Sequence, residues 1–192
     1  MSLKRAEHFI SEEEYLQGEQ EAETRHELIN GEAYAMAGAN ENHNLVSGNV
    51  FSELKNRLKG SSCKTFMSDM KVKAGGDFFY PDVVVVCEED SEHEYYKSAP
   101  ILIIEVLSES TRKFDKTHKR LTYQNIPSLE EYAIIEQERC EIEVFRRKDH
   151  WQSTYYYLGD DVYFASLDVS VSVEDIYYQV DNADIIKYFA ER

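Results

Sequence analysis

Apolar positions along this chain follow two periods, and their order predicts a succession of helices and strands. Leu45, Val46, Val50, Leu54 and Leu58 recur at helical spacing and predict a helix over Asn42 to Leu58, stopped by Lys59-Gly60. Tyr80 to Cys87 and Ile101 to Leu107 are short, nearly continuous apolar runs rich in β-branched residues, the pattern of strands buried on both faces. Cys63 to Ala74 reads as one loosely alternating strand closed by Gly75-Gly76. Lys113 to Asn125 predicts a helix that ends before Pro127. Glu131 to Glu136, Glu141 to Arg147 and Trp151 to Leu158 then alternate as strands. Upstream, Ser11 and Glu14 make a capping-box signature for a short acidic helix from Glu12 to about Gln20. Asn30-Gly31 between two apolar stretches is a hairpin signal over His26 to Met36. Ser172 precedes a helical turn, and Asn182 to Arg192 predicts a C-terminal helix. From Asn42 the order is helix, three strands, helix, strand: a mixed α/β sheet flanked by helices.

Two carboxylates interrupt this pattern. Asp82 opens the run Val83-Val84-Val85-Val86, and Glu105 stands inside Ile101-Leu102-Ile103-Ile104-Glu105-Val106-Leu107. A carboxylate in a buried strand is costly unless it is paired or binds a metal. Two on neighbouring strands repel, and a divalent cation between them removes the repulsion. Asp82 as a strand cap and Glu105 as the partner of a core arginine are the plainer alternatives. Oxygen donors without Cys or His neighbours suit Mg²⁺ or Mn²⁺ rather than zinc. Asp115, Lys119 and Tyr123 follow at i, i+4 and i+8 and share a helix face. That spacing fits a surface ion pair, or a lysine reaching back over the Glu105 strand.

Charge changes the picture in one respect. The formal net charge is −16, and residues 7–54 hold eleven carboxylates against Arg25 as their only strong base. A general electrostatic sleeve for nucleic acid is thereby excluded, though not a small basic patch or a site charged by metal ions. Arg112, Lys113, Lys116, Lys119 and Arg120 cluster around Asp115, and Arg146-Arg147-Lys148 forms a second basic spot. Glu88-Glu89-Asp90-Ser91-Glu92-His93-Glu94 reads as a solvated loop. Three widely spaced cysteines (Cys63, Cys87, Cys140) suggest reduced thiols and a cytoplasmic protein. No stretch approaches the ~18 apolar residues of a membrane span, and no signal-peptide core follows Met1. No linker or repeat divides the chain, so one domain over 1–192 is expected.

Several motifs together resemble a known family. Pro81-Asp82, Glu105-Val106-Leu107-Ser108-x-Ser110-Thr111, Asp115-x-x-x-Lys119-x-x-x-Tyr123 and Glu131-Tyr132-Ala133-Ile134-Ile135-Glu136 are similar to the Uma2 family (DUF820) of restriction-endonuclease-like proteins. Glu27-Leu28-Ile29-Asn30-Gly31-Glu32 and His43 resemble its N-terminal signature. The likeness spans roughly Ser11 to Val180. It implies the PD-(D/E)XK nuclease superfamily, with an α-β-β-β-α-β core preceded here by a helix and hairpin and followed by extra strands. It further implies Asp82 and Glu105 as metal-binding carboxylates, Lys119 as the migrated superfamily lysine, and Glu27, His43 and Asp115 as supporting residues. The implied activity is Mg²⁺- or Mn²⁺-dependent hydrolysis of phosphodiester bonds, with DNA as substrate. Arg112, Lys113, Lys116 and Arg120 would then flank the site and contact phosphate. Glu109, Ala133 and Glu136 depart from the family pattern at a turn and a strand. Two rivals stay open: an inactive DNA- or protein-binding module, and a structural homodimer with Glu105–Lys119 as a buried pair and Trp151 to Leu158 as its surface.

Overall fold

A computed structural model describes residues 9–87, 93–109 and 111–190. The N-terminal helix α1 (Glu12–Glu21) starts on a complete capping box between Ser11 and Glu14. Strands β1 (His26–Ile29) and β2 (Glu32–Ala35) form the expected hairpin. Its turn residues Asn30 and Gly31 have φ of 51° and 78°, the left-handed values a two-residue turn demands. At Gly31 a Cβ would also run into the Phe9 ring. Helix α2 (Glu41–Arg57) is capped by Asn40, whose side chain accepts from the His43 N–H at 2.9 Å.

The next elements are β3 (Lys64–Met67), β4 (Lys71–Ala74), β5 (Asp77–Phe79), β6 (Val83–Val86), β7 (Tyr96–Lys97) and β8 (Leu102–Leu107). A continuous helical segment follows: α3 (Arg112–Phe114), a π turn at Asp115–Lys119, and α4 (Arg120–Gln124). Strands β9 (Glu131–Glu136), β10 (Glu141–Arg146), β11 (Ser153–Tyr157), β12 (Asp161–Phe164) and β13 (Val169–Ser172) lead to α5 (Val173–Ile176) and α6 (Ala183–Ala190).

Six strands make the main sheet in the order β11-β10-β9-β8-β6-β3, and five make a second, β2-β1-β5-β4-β7. Within the main sheet, α2, β3, β6, β8, the α3–α4 segment and β9 reproduce the expected α-β-β-β-α-β order. Strands β8 and β9 are parallel, joined by the α3–α4 crossover. One face of this sheet packs Val83, Val85, Leu102, Ile104 and Val106 against Val46, Val50 and Leu54 of α2 and the β12–β13 hairpin. The other packs Val84, Ile103 and Leu107 against Val72 and Phe79 of the second sheet and Tyr123 of α4. Cover on both faces is why these strands are apolar at successive positions. Truncating a side chain such as Leu54 (0% exposed) to alanine would cost ~2–5 kcal/mol.

Three expectations are corrected. Cys63 to Ala74 is two strands in two sheets, because Ser68 takes a left-handed φ of 52° and its N–H bonds the Asp82 carbonyl. A serine gives no local signal for that conformation, whereas glycine or asparagine would. The strand read from Tyr80 starts at Val83, since Pro81 has no N–H to give a ladder. Cys63 and Cys87 are joined by a disulfide, so only Cys140 is a free thiol. The β3–β6 register runs Lys64↔Val86, and one further step brings Cys63 opposite Cys87 across 24 residues of sequence. Strands β5, β7, β12 and β13 were not individually read from the sequence. The acidic stretch at 88–92 and Ser110 lie outside the described residues. Among the described residues, no helix is long and apolar enough to cross a membrane.

Candidate functional site

The antiparallel β6–β8 register ends at Val83↔Ile104, and one step beyond it Asp82 faces Glu105. Opposed residues of an antiparallel pair project on the same face. In place of a backbone rung, the Asp82 Oδ2 accepts from the Val106 N–H at 2.7 Å. The same oxygen lies 3.4 Å from His43 Nε2, carried on the first turn of α2. Glu105 is 3% exposed, and its Oε1 accepts from the Tyr123 hydroxyl at 3.1 Å and Lys119 Nζ at 3.3 Å.

Lys119 is the hub. Its ammonium lies 2.9 Å from Glu27 Oε1, 3.3 Å from Glu105 Oε1 and 3.5 Å from Asp115 Oδ1. Glu27 arrives from β1, and its Oε1 also accepts from the Tyr80 N–H at 3.1 Å. Asp115 and Lys119 bound the π turn, and both are buried. A π turn is an uncommon local widening of a helix that recurs at functional sites. Here it leaves the i, i+4, i+8 face of Asp115, Lys119 and Tyr123 turned toward Glu105.

One cation among three carboxylates sets the proton affinities. Burial pushes the Glu105 carboxyl well above its usual range; Lys119 opposes this, and Asp115, Asp82 and Glu27 add to it. Asp115 is raised by burial too, against Lys119 and Thr111. Burial alone would lower Lys119, but Glu105, Glu27 and Asp115 overcome it and hold the ammonium charged. For His43, burial works downward, and the hydrogen bond and charge of Asp82 raise it above its ordinary value. Tyr123 is kept neutral by its own burial and the neighbouring carboxylates.

Glu27, His43, Asp82, Glu105, Asp115 and Lys119 line one cleft of about 1010 Å³. Its described walls carry Glu27, Asp82, Glu105, Glu109, Asp115 and Glu138 against two strong bases, Arg25 and Lys119. Three buried polar atoms on it have no hydrogen-bond partner: Ser47 Oγ, Asp115 Oδ1 and Gln137 Oε1. Among the described residues, no three His, Cys, Asp or Glu side chains form a cluster set to hold a metal. A Mg²⁺ site, however, takes one or two carboxylates and completes its shell with water and substrate phosphate. The all-oxygen donors at Asp82 and Glu105, the surplus negative charge and Asp115 Oδ1, held by the Lys119 ion pair but by no hydrogen bond, fit such an ion.

Residues 12–174 match the family model of Uma2, described as "Putative restriction endonuclease". The chain belongs to the Uma2 family. This Uma2 chain is 32% identical over 173 residues to the uncharacterised protein slr1290 of Synechocystis sp. (strain ATCC 27184 / PCC 6803 / Kazusa), covering 88% of this chain and 91% of that one. It is 37% identical over 139 residues to sll1609 of the same organism, also uncharacterised, covering 70% of this chain and 78% of that one. A crystal structure described as a "putative nuclease belonging to DUF820" from Anabaena variabilis ATCC 29413 superposes with a TM-score of 0.74 at 19% identity, covering 88% of this chain and 97% of that one. At that identity it shows the fold.

Not every residue singled out from the sequence meets the cleft. Arg112, Lys113, Lys116 and Arg120 are absent from its walls. Arg112 pairs with Glu136 and Glu138, and Lys116 lies 3.4 Å from Glu136 and 3.7 Å from Glu143. Arg120 stacks over Phe145 at 4.8 Å, and Lys113 is exposed. Arg146 and Arg147 of the second basic spot bind Glu131 and the carbonyls of Leu129 and Ile126. Ser108 Oγ accepts from the Thr111 N–H at 3.2 Å, as a cap does. Sequence reasoning passed over Arg25, Ser47 and Gln137 as cleft residues. The one available signal was Arg25, a lone base in an acidic segment.

Proposed function

We propose that this chain is a metal-dependent endonuclease that hydrolyses phosphodiester bonds in DNA, with Asp82 and Glu105 as the ligands of Mg²⁺ or Mn²⁺. The observation that carries the reading is the meeting of Asp82, Glu105 and Lys119 in one acidic cleft, where three carboxylates outnumber the single ammonium among them. Family membership supports the same class of chemistry. When bound, the cation would neutralise the scissile phosphate and make an attacking water more acidic.

The protein's own groups prepare that step. Val106 N–H and His43 hold the Asp82 carboxylate, and Tyr123 and Lys119 hold Glu105, so both are oriented before substrate arrives. Lys119 keeps its charge in a buried setting, where it stabilises negative charge developing on phosphate oxygens. His43 is placed to hold a proton beside Asp82 and release it. Water adds to phosphorus and gives up a proton, the P–O bond to the leaving sugar oxygen breaks, and that oxygen takes up a proton.

The test is direct. Purified protein is expected to nick or degrade DNA with Mn²⁺ or Mg²⁺, EDTA should stop it, and Asp82→Asn and Glu105→Gln should each remove most activity in a folded protein. Failure to cut single- or double-stranded DNA or RNA with either metal would defeat the enzyme reading. In that case the pairing of Lys119 with three carboxylates favours an inactive module of the same fold.

A further inference from the structure

The β1–β2 hairpin presents two side chains to the cleft that neither the metal ligands nor Lys119 require. Side chains on a strand alternate, so Arg25 and Glu27 share a face. Glu27 is paired directly with Tyr34, and the Met36 N–H bonds the Arg25 carbonyl at 2.9 Å, extending the ladder to Arg25. Arg25, Glu27, Tyr34 and Met36 therefore lie on one side of the hairpin, and all four line the cleft. Glu27 reaches Lys119 from this face, so its neighbours face the same space.

Tyr34 is 49% exposed on a strand whose four residues are all exposed at the edge of the second sheet. The Arg25 side chain is 51% exposed, and its ion pair is with Asp69, itself 71% exposed. A pair that wet is worth little and yields readily to another anion. Lys119 is enclosed by carboxylates, which leaves Arg25 as the accessible strong base on the described walls. An accessible guanidinium and an open tyrosine ring on one face of the hairpin match a phosphate and a nucleobase of the same strand. A base inside a duplex has both faces covered by its neighbours, so a tyrosine can stack only on one that is unpaired or at an end.

We propose that Arg25 and Tyr34 grip the phosphate and base of one unpaired nucleotide beside the bond cut at Asp82 and Glu105. The preferred substrate is then a single strand or frayed end rather than an unbroken duplex. This inference rests on the nuclease reading.

Binding of the full chain to a fluorescein-labelled 12-nucleotide single strand and to the matching duplex, with Ca²⁺ in place of Mg²⁺, tests it by anisotropy. The wild type should bind the single strand about tenfold tighter. Tyr34→Ala should abolish that preference, and Tyr34→Phe, which keeps the ring and loses the hydroxyl bond to Glu32, should retain it. Arg25→Gln should weaken binding and reduce the salt slope by about 0.7, one phosphate contact on a single strand. Both side chains are half exposed, so melting temperatures should hold. Duplex binding as tight as single-strand binding, or a preference that survives Tyr34→Ala, overturns the inference. Metal-dependent cutting that Asp82→Asn abolishes would leave the nuclease reading standing in that event. A wild type that binds neither strand and cuts nothing overturns both.

Discussion

Two of the buried ionic clusters among the described residues are built on opposite principles. In the first, Arg146 (6% exposed) meets Glu131 (2% exposed) at 2.9 Å, one cation to one anion. Arg146 also donates to the Tyr156 hydroxyl and the Tyr163 carbonyl, at 2.8 and 2.7 Å. Glu131 accepts from the backbone of Ala165 and Ser166 and from the Ser166 hydroxyl. This cluster ties β9, β10 and β11 to the turn between β12 and β13. The second cluster sets one ammonium among Glu27, Glu105 and Asp115, leaves an Asp115 oxygen without a hydrogen bond, and opens on a cleft. Balanced and satisfied, the first holds the fold. Over-anionic and open to the cleft, the second is where the proposed cation would bind.

The largest expected effect falls on the balanced cluster. Arg146→Met leaves Glu131 buried without its cation and should cost ~3–5 kcal/mol of stability by denaturant unfolding. Glu105→Gln, by contrast, removes an excess negative charge and should leave the metal-free protein at least as stable as the wild type. If both variants lose stability alike, the distinction between the clusters fails.

Activity should invert that ranking. Asp82→Asn and Glu105→Gln should lower DNA cleavage by at least about 100-fold, or ~2.7 kcal/mol of transition-state stabilisation. Lys119→Ala should cut turnover while sparing metal binding. Mg²⁺ or Mn²⁺ should raise the melting temperature of the wild type and not of Asp82→Ala, by up to about 2.7 kcal/mol of stability at a hundred times Kd.

The pH dependence is a finer test. The folded Glu105 carboxyl holds its proton to higher pH than the unfolded one, so the native state binds more protons and metal-free stability falls as pH rises from about 4.5. His43 acts with the same sign, its contribution present below about 6.5 and lost as pH passes its raised folded value. Glu105→Gln should flatten the decline in melting temperature between pH 5 and 8, and a bound divalent cation should reverse it. The smallest effect is expected at Lys116. Lys116→Glu should weaken DNA binding less than Arg25→Gln, because Lys116 faces Glu136 and Glu143 and not the cleft.

The convergence of Asp82, Glu105 and Lys119 was legible in the sequence because two of them break a local pattern and the third keeps one. The two carboxylates sit in strongly apolar runs, and the lysine keeps helical register with Asp115 and Tyr123. Where Arg112, Lys116 and Arg120 would sit was not legible: a basic run on a helix says nothing about which face meets acidic strands. Glu136 and Glu143, which take up Lys116, lie about 20 or more residues further along. Tyr34 and Gln137 carry no local signal, and Arg25 only that of a lone base in an acidic segment, since each becomes a cleft residue only when the hairpin and the end of β9 close over β6 and β8.

Local patterns therefore determined the elements and most of their ends: the capping box of α1, the Asn30-Gly31 turn, the apolar stripe of α2 and the doubly buried β6 and β8. Such features depend on residues within a few positions of one another, where sterics and periodicity act directly. Tertiary structure alone decided that Ser68 divides one apparent strand between two sheets and that Cys63 meets Cys87. It also decided that the lysine serving Glu105 is shared with Glu27, 92 residues before it. These are pairings across the sheet, governed by register and by charge buried from distant parts of the chain. No short window of sequence contains both partners.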